Sequence, residues 1–466
     1  MRTASRFAAR KEGRPAAWLT TPIGGLVTRP WFDPVALWTI TRAHMPVSRA
    51  WAAAGVAEGS LGRFLDEMRF SGLPAGTARF VVRALEQVAQ LKRRHETVAV
   101  RWNEAFFGPA EIDHATLLAV ERARRQASHD YMVGGRLAFA GLKLRVRWPP
   151  VHFEIPDRAA VEARYGPLIG DPAAAFRPPA VLPAIERSRT IAGAAGREYW
   201  LRFPSPLPAM GDLAWAHVFE PAGIADPPSV VYGHGLGVEL ESLATVEEKA
   251  TEFPRFGVRL VRLEAPWHNR RRLPGRYGGE PFLGSQPFGA LDLFAAEVRE
   301  MAMLIAWCRQ VGSGRVAVGG TSLGALASQL VASHAKGWPA SFRPDMLYAV
   351  TTSDDVGGLA FSSTLTRSVG LPQALAKAGW SASDLVRLRP FTDPSPAPPL
   401  PPSDMVFVLG RRDTVTPFAD GQAMAERWKV APENLFLQRG GHFTVPLGLL
   451  RDPAPLRRLA ERLGAG

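Results

Sequence analysis

The chain has 466 residues, 46% of them hydrophobic, so it is long enough for two or three structural units and too apolar for global disorder. Its 56 Lys and Arg against 43 Asp and Glu leave a net charge of +13, which suits anionic partners, but the basic residues are dispersed and no nucleic-acid-binding motif is present. One cysteine excludes an intrachain disulfide and any cysteine-built zinc cluster, and no run of about 18 apolar residues marks a membrane span.

The start of the chain, MRTASRFAARKEGR, is basic and acid-poor and lacks an apolar signal core, so a transit-like segment and a frayed basic tail both fit it. Residues 1–150 read as a helical N-terminal extension. In ARFVVRALEQVAQLKRR (78–94), Val81, Leu85, Val88 and Leu91 form one stripe, and 111–127 is a second helical stretch. His44, His95, His114 and His129 are scattered and read as structural. A Pro/Ala-rich connector is expected over 151–194. Beyond it, short apolar strands at 199–203, 213–219, 229–235, 258–265, 316–320, 346–352, 405–410 and 434–438 alternate with helical stretches, notably 290–311, 323–336 and 418–429. That alternation predicts an α/β fold with a mostly parallel central sheet, whose early strands begin as antiparallel neighbours. Cys308, inside MAMLIAWCRQV, reads as a buried helical thiol. DPSPAPPLPPSD (393–404) reads as a stiff return to the sheet.

The chemistry centres on GTSLG (320–324), a G-x-S-x-G between a strand and a helix. That context suits a nucleophile elbow, a strained turn that holds Ser322 proud of the sheet and aims the Leu323 N–H at a reacting carbonyl. A phosphate-binding loop is the competing glycine-rich reading, but Ala325 stands where its lysine belongs. Serine needs a base, and the base needs an orienting acid. Asp413 and His442 each follow a later predicted strand, in the chain order Ser, Asp, His. Asp354 and Asp355, after the strand at 346–352, are competing acids, and Asp354 also reads as a residue lining the substrate pocket. VVYGHGLG (230–237) precedes a helical segment and offers a second oxyanion donor at Leu236 N–H. Val238 occupies the third glycine position of a dinucleotide fingerprint and argues against that motif.

With GTSLG, Asp413, His442 and the HG loop in place, residues 195–466 resemble an α/β-hydrolase of the serine esterase or lipase type. LEAPWHNRRRLPG, LDLFAAEVREM and GTSLGALASQLVAS also resemble uncharacterised abhydrolase-domain families with an N-terminal extension. The resemblance implies Ser322 as nucleophile, His442 as base and Asp413 as orienting acid, with no cofactor. Two insertions are expected to shape specificity. One carries Arg270, Arg271, Arg272 and Arg276 and is expected at the mouth of the site, where arginine forks bind phosphate or carboxylate. The other, 356–402, is expected to form a cap that favours an acyl chain. Together they suggest a lipid or other anionic ester as substrate, in a cytoplasmic protein with peripheral contact to an anionic membrane. A non-catalytic scaffold of the same fold, and a lyase or peroxidase using the same three residues, remain alternatives.

Overall fold

The computed structural model of the chain describes residues 29–193, 196–240 and 252–464. The basic start of the chain lies outside the described residues, as does 241–251, where the helical segment after the HG loop was expected. Among the described residues ten strands form one sheet: β1 (Glu186–Arg187), β2 (Ile191–Gly193), β3 (Gly196–Pro204), β4 (Leu213–Pro221), β5 (Ser229–Gly233), β6 (Arg259–Leu263), β7 (Val316–Thr321), β8 (Met346–Val350), β9 (Met405–Gly410) and β10 (Leu435–Gln438). Their order is β1-β3-β4-β6-β5-β7-β8-β9-β10, with β2 paired to β3. β4 runs antiparallel to β3 and β6, and every pair from β6 through β5 to β10 is parallel. This order and direction make the chain an α/β-hydrolase fold. β1 and β2 were not expected from sequence, because two or three residues show no period.

The strand faces explain the layers. Successive side chains on a strand point to opposite sides. Tyr199, Leu201, Phe203, Ala216, Val218, Val231 and Val318 share one core with helices α5 (Phe288–Gln310) and α6 (Leu323–Ala335). Phe219, Val230, Leu260 and Tyr348 face the other way, against Leu456 and Leu459 of the C-terminal helix Ala454–Leu463. Strands β7 to β9 are buried almost throughout and read as nearly unbroken apolar runs, as strands covered on both faces must, while β6 is equally buried but carries Arg259 and Arg262.

The N-terminal helices are built into this body. Helices α1 (Phe32–Thr39), α2 (Met45–Ala57), α3 (Ala75–Phe107) and α4 (His114–His129) precede the sheet. α3 continues for 33 residues because no glycine or proline interrupts it between Gly76 and Gly108. Trp51, Val81, Leu85 and Val88 belong to the main core, while Trp102, Phe106, Leu117 and Leu118 pack on Trp200 of β3. Charges bury with them. Glu121 takes Arg124 at 2.8 Å and also Arg125, Arg125 lies 3.6 Å from Glu198, and the Arg124 guanidinium sits 5.0 Å over the Trp102 ring. The stretch read as a connector holds a helix at Arg158–Tyr165 and contributes β1 and β2 to the sheet. A fragment beginning at residue 196 would expose Trp200, Trp215 and the buried carboxyl of Glu198. It is expected to be recovered aggregated, whereas the full chain is not. A folded, monomeric fragment by size exclusion and circular dichroism would refute this.

Candidate active site

β7 ends at Thr321, and the next residue, Ser322, has its backbone at φ 55°, ψ −119°. A non-glycine residue there costs about 1–3 kcal/mol, so the surroundings must hold it. They do so with backbone bonds: Ser322 N donates to Val350 O at 2.9 Å, and Gly324 N donates to His234 O at 3.0 Å. The flanking glycines are required by contact. A Cβ on Gly324 would lie 2.2 Å from the Gly233 carbonyl, and one on Gly320 would lie 2.3 Å from Gly324. Helix α6 therefore starts against the end of β5, and its first turn faces the HG loop.

Three side chains from three loops converge here. Ser322 Oγ lies 2.9 Å from His442 Nε2, and His442 Nδ1 lies 2.8 Å from Asp413 Oδ2. Asp413 is fixed in turn: Oδ1 accepts from Val415 N and Thr416 N, both at 2.9 Å, and Oδ2 accepts from Thr416 Oγ1 at 2.9 Å. With a carboxylate facing Nδ1, that nitrogen carries the proton and Nε2 is left to accept from the serine hydroxyl. Asp354 and Asp355 are turned elsewhere. Asp354 pairs with Arg427 at 2.7 Å and Asp355 with Arg389 at 2.7 Å, and neither lines a cavity at Ser322. The expectation that Asp354 lines the pocket is corrected accordingly.

Leu236 and Leu323 flank Ser322. Among the described residues, neither N–H is spent on a protein acceptor. The Leu236 loop is braced by two neutral imidazoles. His234 Nε2 accepts from Ala265 N at 3.1 Å, and His268 Nε2 accepts from Gly237 N at 3.0 Å, so the loops after β5 and β6 hold each other. The rings meet edge to face at 4.9 Å. Burial drives both pKa values down, to about 4 for His234 and about 3 for His268, and His234 adds to the shift of His268.

Two apolar cavities meet at Ser322 and Leu236. The smaller, about 80 Å³, is lined by Leu291, Leu326, Leu359, Leu371 and Leu388, with the last three from the 356–402 insertion. That insertion is a set of short helices, Leu359–Ser362, Thr364–Val369, Leu371–Lys377 and Ala382–Val386. The larger cavity, about 610 Å³, is lined by Phe32, Val35, Ala36, Phe253, Leu447 and Leu450, among others, and reaches His442.

The arginine insertion lies elsewhere. Arg271 is buried in an ion cluster, with Glu300 at 2.7 Å and Asp212 at 2.7 Å. Arg270 pairs with Glu264, and its guanidinium lies 5.1 Å from both the Trp102 and Trp215 rings. Arg272 lies 4.9 Å over Trp51, and Arg276 is 2.8 Å from Glu67. None of the four lines either cavity at Ser322. The expectation of a basic mouth fails because acids and aromatic faces, largely from the extension and distant turns, occupy these guanidinium groups.

Asp33 is the residue that sequence reasoning missed. Its Oδ1 accepts from Phe443 N at 2.7 Å and Thr444 N at 3.3 Å, and its Oδ2 from Gly441 N at 3.1 Å and Thr444 Oγ1 at 2.6 Å. Gly441 makes the approach possible, since a Cβ there would lie 2.8 Å from Asp33 Cγ. An aspartate on helix α1 thus fixes the backbone on both sides of His442, with Asp33 and Gly441 408 positions apart in the chain. The paired glycines before His442 were the only local sign.

No family model matches the chain, and no curated protein matches it in sequence. Solved structures do resemble it at low identity. A cold-adapted esterase from an Arctic intertidal metagenomic library is 15% identical, with 59% of this chain and 97% of that one covered and a TM-score of 0.39. Acetyl xylan esterase 1 from Thermoanaerobacterium is 14% identical over 61% and 93%, with a TM-score of 0.43. An S-formylglutathione hydrolase from Agrobacterium tumefaciens is 16% identical over 59% and 99%, with a TM-score of 0.39.

Two outcomes follow from the bracing. Asp33→Ala is expected to cost about 1–3 kcal/mol in urea unfolding and to speed amide exchange at Gly441, Phe443 and Thr444; unchanged exchange there would contradict the clamp. The imidazole pair predicts a pH effect. Each folded pKa lies below the ordinary value of 6.5, so the unfolded chain binds more protons and stability falls as pH drops from about 6.5 toward about 4. In His268→Gln, whose amide accepts without titrating, the decline in Tm over that window should be shallower.

Proposed function

We propose that the protein is a serine hydrolase that cleaves carboxylic esters through an acyl-enzyme. The observation that carries this reading is the 2.9 Å contact between Ser322 Oγ and His442 Nε2, on a strained turn where two cavities meet. Ser322 Oγ attacks the ester carbonyl carbon while His442 Nε2 takes its proton. Asp413 keeps the Nδ1 proton in place and stabilises the imidazolium that forms. The N–H groups of Leu323 and Leu236 receive the carbonyl oxygen as it becomes an oxyanion. His442 then gives its proton to the departing alcohol oxygen as the C–O bond breaks. Water attacks the acyl-enzyme by the same route, its proton passing to His442 and back to Ser322 as the acid leaves.

The substrate class follows from the walls. An acyl chain in the larger cavity would meet Phe32, Val35, Ala36, Phe253 and Leu450, with the smaller cavity left for the alcohol side. With the arginine insertion engaged by its own acids, the reading favours an uncharged, apolar ester over an anionic one.

Ser322→Ala should reduce ester turnover by ~10⁴-fold or more with folding unchanged, and should lose labelling by a fluorophosphonate probe. Unchanged turnover would sink the proposal. In a p-nitrophenyl ester series, kcat/KM should rise from acetate toward octanoate, by up to about fourfold per methylene. A chain of equal length ending in a carboxylate should be turned over more slowly. A profile that peaks at acetate would argue against the acyl assignment of the larger cavity.

A further inference from the structure

The arginine insertion after β6 lines a cavity of its own. This space of about 360 Å³ is walled by Trp51, Lys92, Tyr131, Asn269, Arg272 and Arg276, among others. Neither Ser322, Asp413, His442 nor Leu236 lines it, so it is separate from the active site. Its polar groups are mainly donors. Arg276 is already held by Glu67 at 2.8 Å and Glu154 at 3.1 Å. Lys92 donates to Gly55 O at 2.8 Å and lies 3.6 Å from Glu96, a largely exposed carboxylate that also lines the cavity. Arg272 has less. Among the described residues it forms no salt bridge; its guanidinium lies over the Trp51 ring and donates to the Met132 sulfur at 3.4 Å. Sulfur is a weak acceptor, which leaves most of the five guanidinium N–H groups of Arg272 unspent.

Asn269 supplies an independent sign. It is 7% exposed, and its Oδ1 accepts from Leu240 N at 3.0 Å. That bond fixes which end of the amide is which, and it leaves Nδ2 buried with no partner among the described residues. A buried donor without an acceptor costs about 1–3 kcal/mol. One anion lodged between Arg272, Lys92 and Asn269 would satisfy the amide and neutralise the excess cation together.

We propose that this cavity binds a small organic anion, a molecule bearing a phosphate or carboxylate group. Arg272 presents its planar fork to the oxyanion, Lys92 adds charge from the facing helix, and Asn269 Nδ2 gives a fixed donor. Trp51 and Tyr131 flank the remainder of the ligand. The volume falls in the range of small-molecule pockets. The assignment stands independently of the ester chemistry at Ser322.

The test uses the full chain with pyrophosphate and citrate as probes, by calorimetric titration and thermal unfolding at ionic strength matched with sodium chloride. At least one probe should bind saturably and raise Tm, and the probe that does so separates phosphate from carboxylate recognition. Arg272→Met keeps an apolar side chain over Trp51 and should weaken binding about tenfold or more. Lys92→Met, on the opposite wall, should do the same and serves if Arg272→Met fails to fold. Absence of saturable binding for both probes, or equal affinity in wild type and the folded variants, would overturn the proposal.

Discussion

The close approach of Gly324 to the Gly233 carbonyl is the contact from which the site is built. It presses the start of helix α6 against the end of β5, and only backbone fits between them. Ser322 takes its strained conformation because the chain must turn there from β7 into a helix already in contact with β5. The same contact places the HG loop beside the serine, where a Cβ on Gly235 would lie 3.6 Å from that of Ser322. A methyl group at position 324 would separate these parts all at once. The imidazoles of His234 and His268 then secure the loop from the opposite side, and burial keeps both rings neutral so that each can accept an N–H.

The N-terminal helices complete this body rather than decorate it. They cover Trp200 on the antiparallel part of the sheet, supply acids for arginines of the core, and wall one side of the larger cavity. The net charge of +13 is correspondingly uninformative about partners at the active site. Much of the arginine is spent inside the protein, on carboxylates such as Glu121, Glu264 and Glu300 and on aromatic faces. A buried pair of this kind contributes little net stability but is costly to break, so it fixes how the layers register against one another.

What was legible in the sequence was whatever leaves a local trace. The eight main strands announce themselves by apolar runs, and Ser322, Asp413 and His442 each follow one of them. The glycines around Ser322 mark its turn because their absence of a side chain is itself the requirement. Asp33 left no such trace, since its partners are the backbone N–H groups of Gly441, Phe443 and Thr444 at the far end of the chain. The arginine insertion misled for a related reason. Its charges were visible, but their partners were not: Asp212 lies 59 residues from Arg271, and Glu67 lies 209 from Arg276. β1 and β2 exist only as additions to β3, so neither carries a pattern of its own.

Helix α1 does two jobs with adjacent side chains. Phe32, Val35 and Ala36 form part of the wall of the larger cavity, and Asp33 grips the loop that carries His442. The wall of the cavity and the anchor of the His442 loop therefore share one element. On the esterase reading, a chain too broad for the cavity presses on the helix that aligns the base. Poor fit is then registered at the imidazole as well as in affinity, and discrimination between substrates extends into the chemical step.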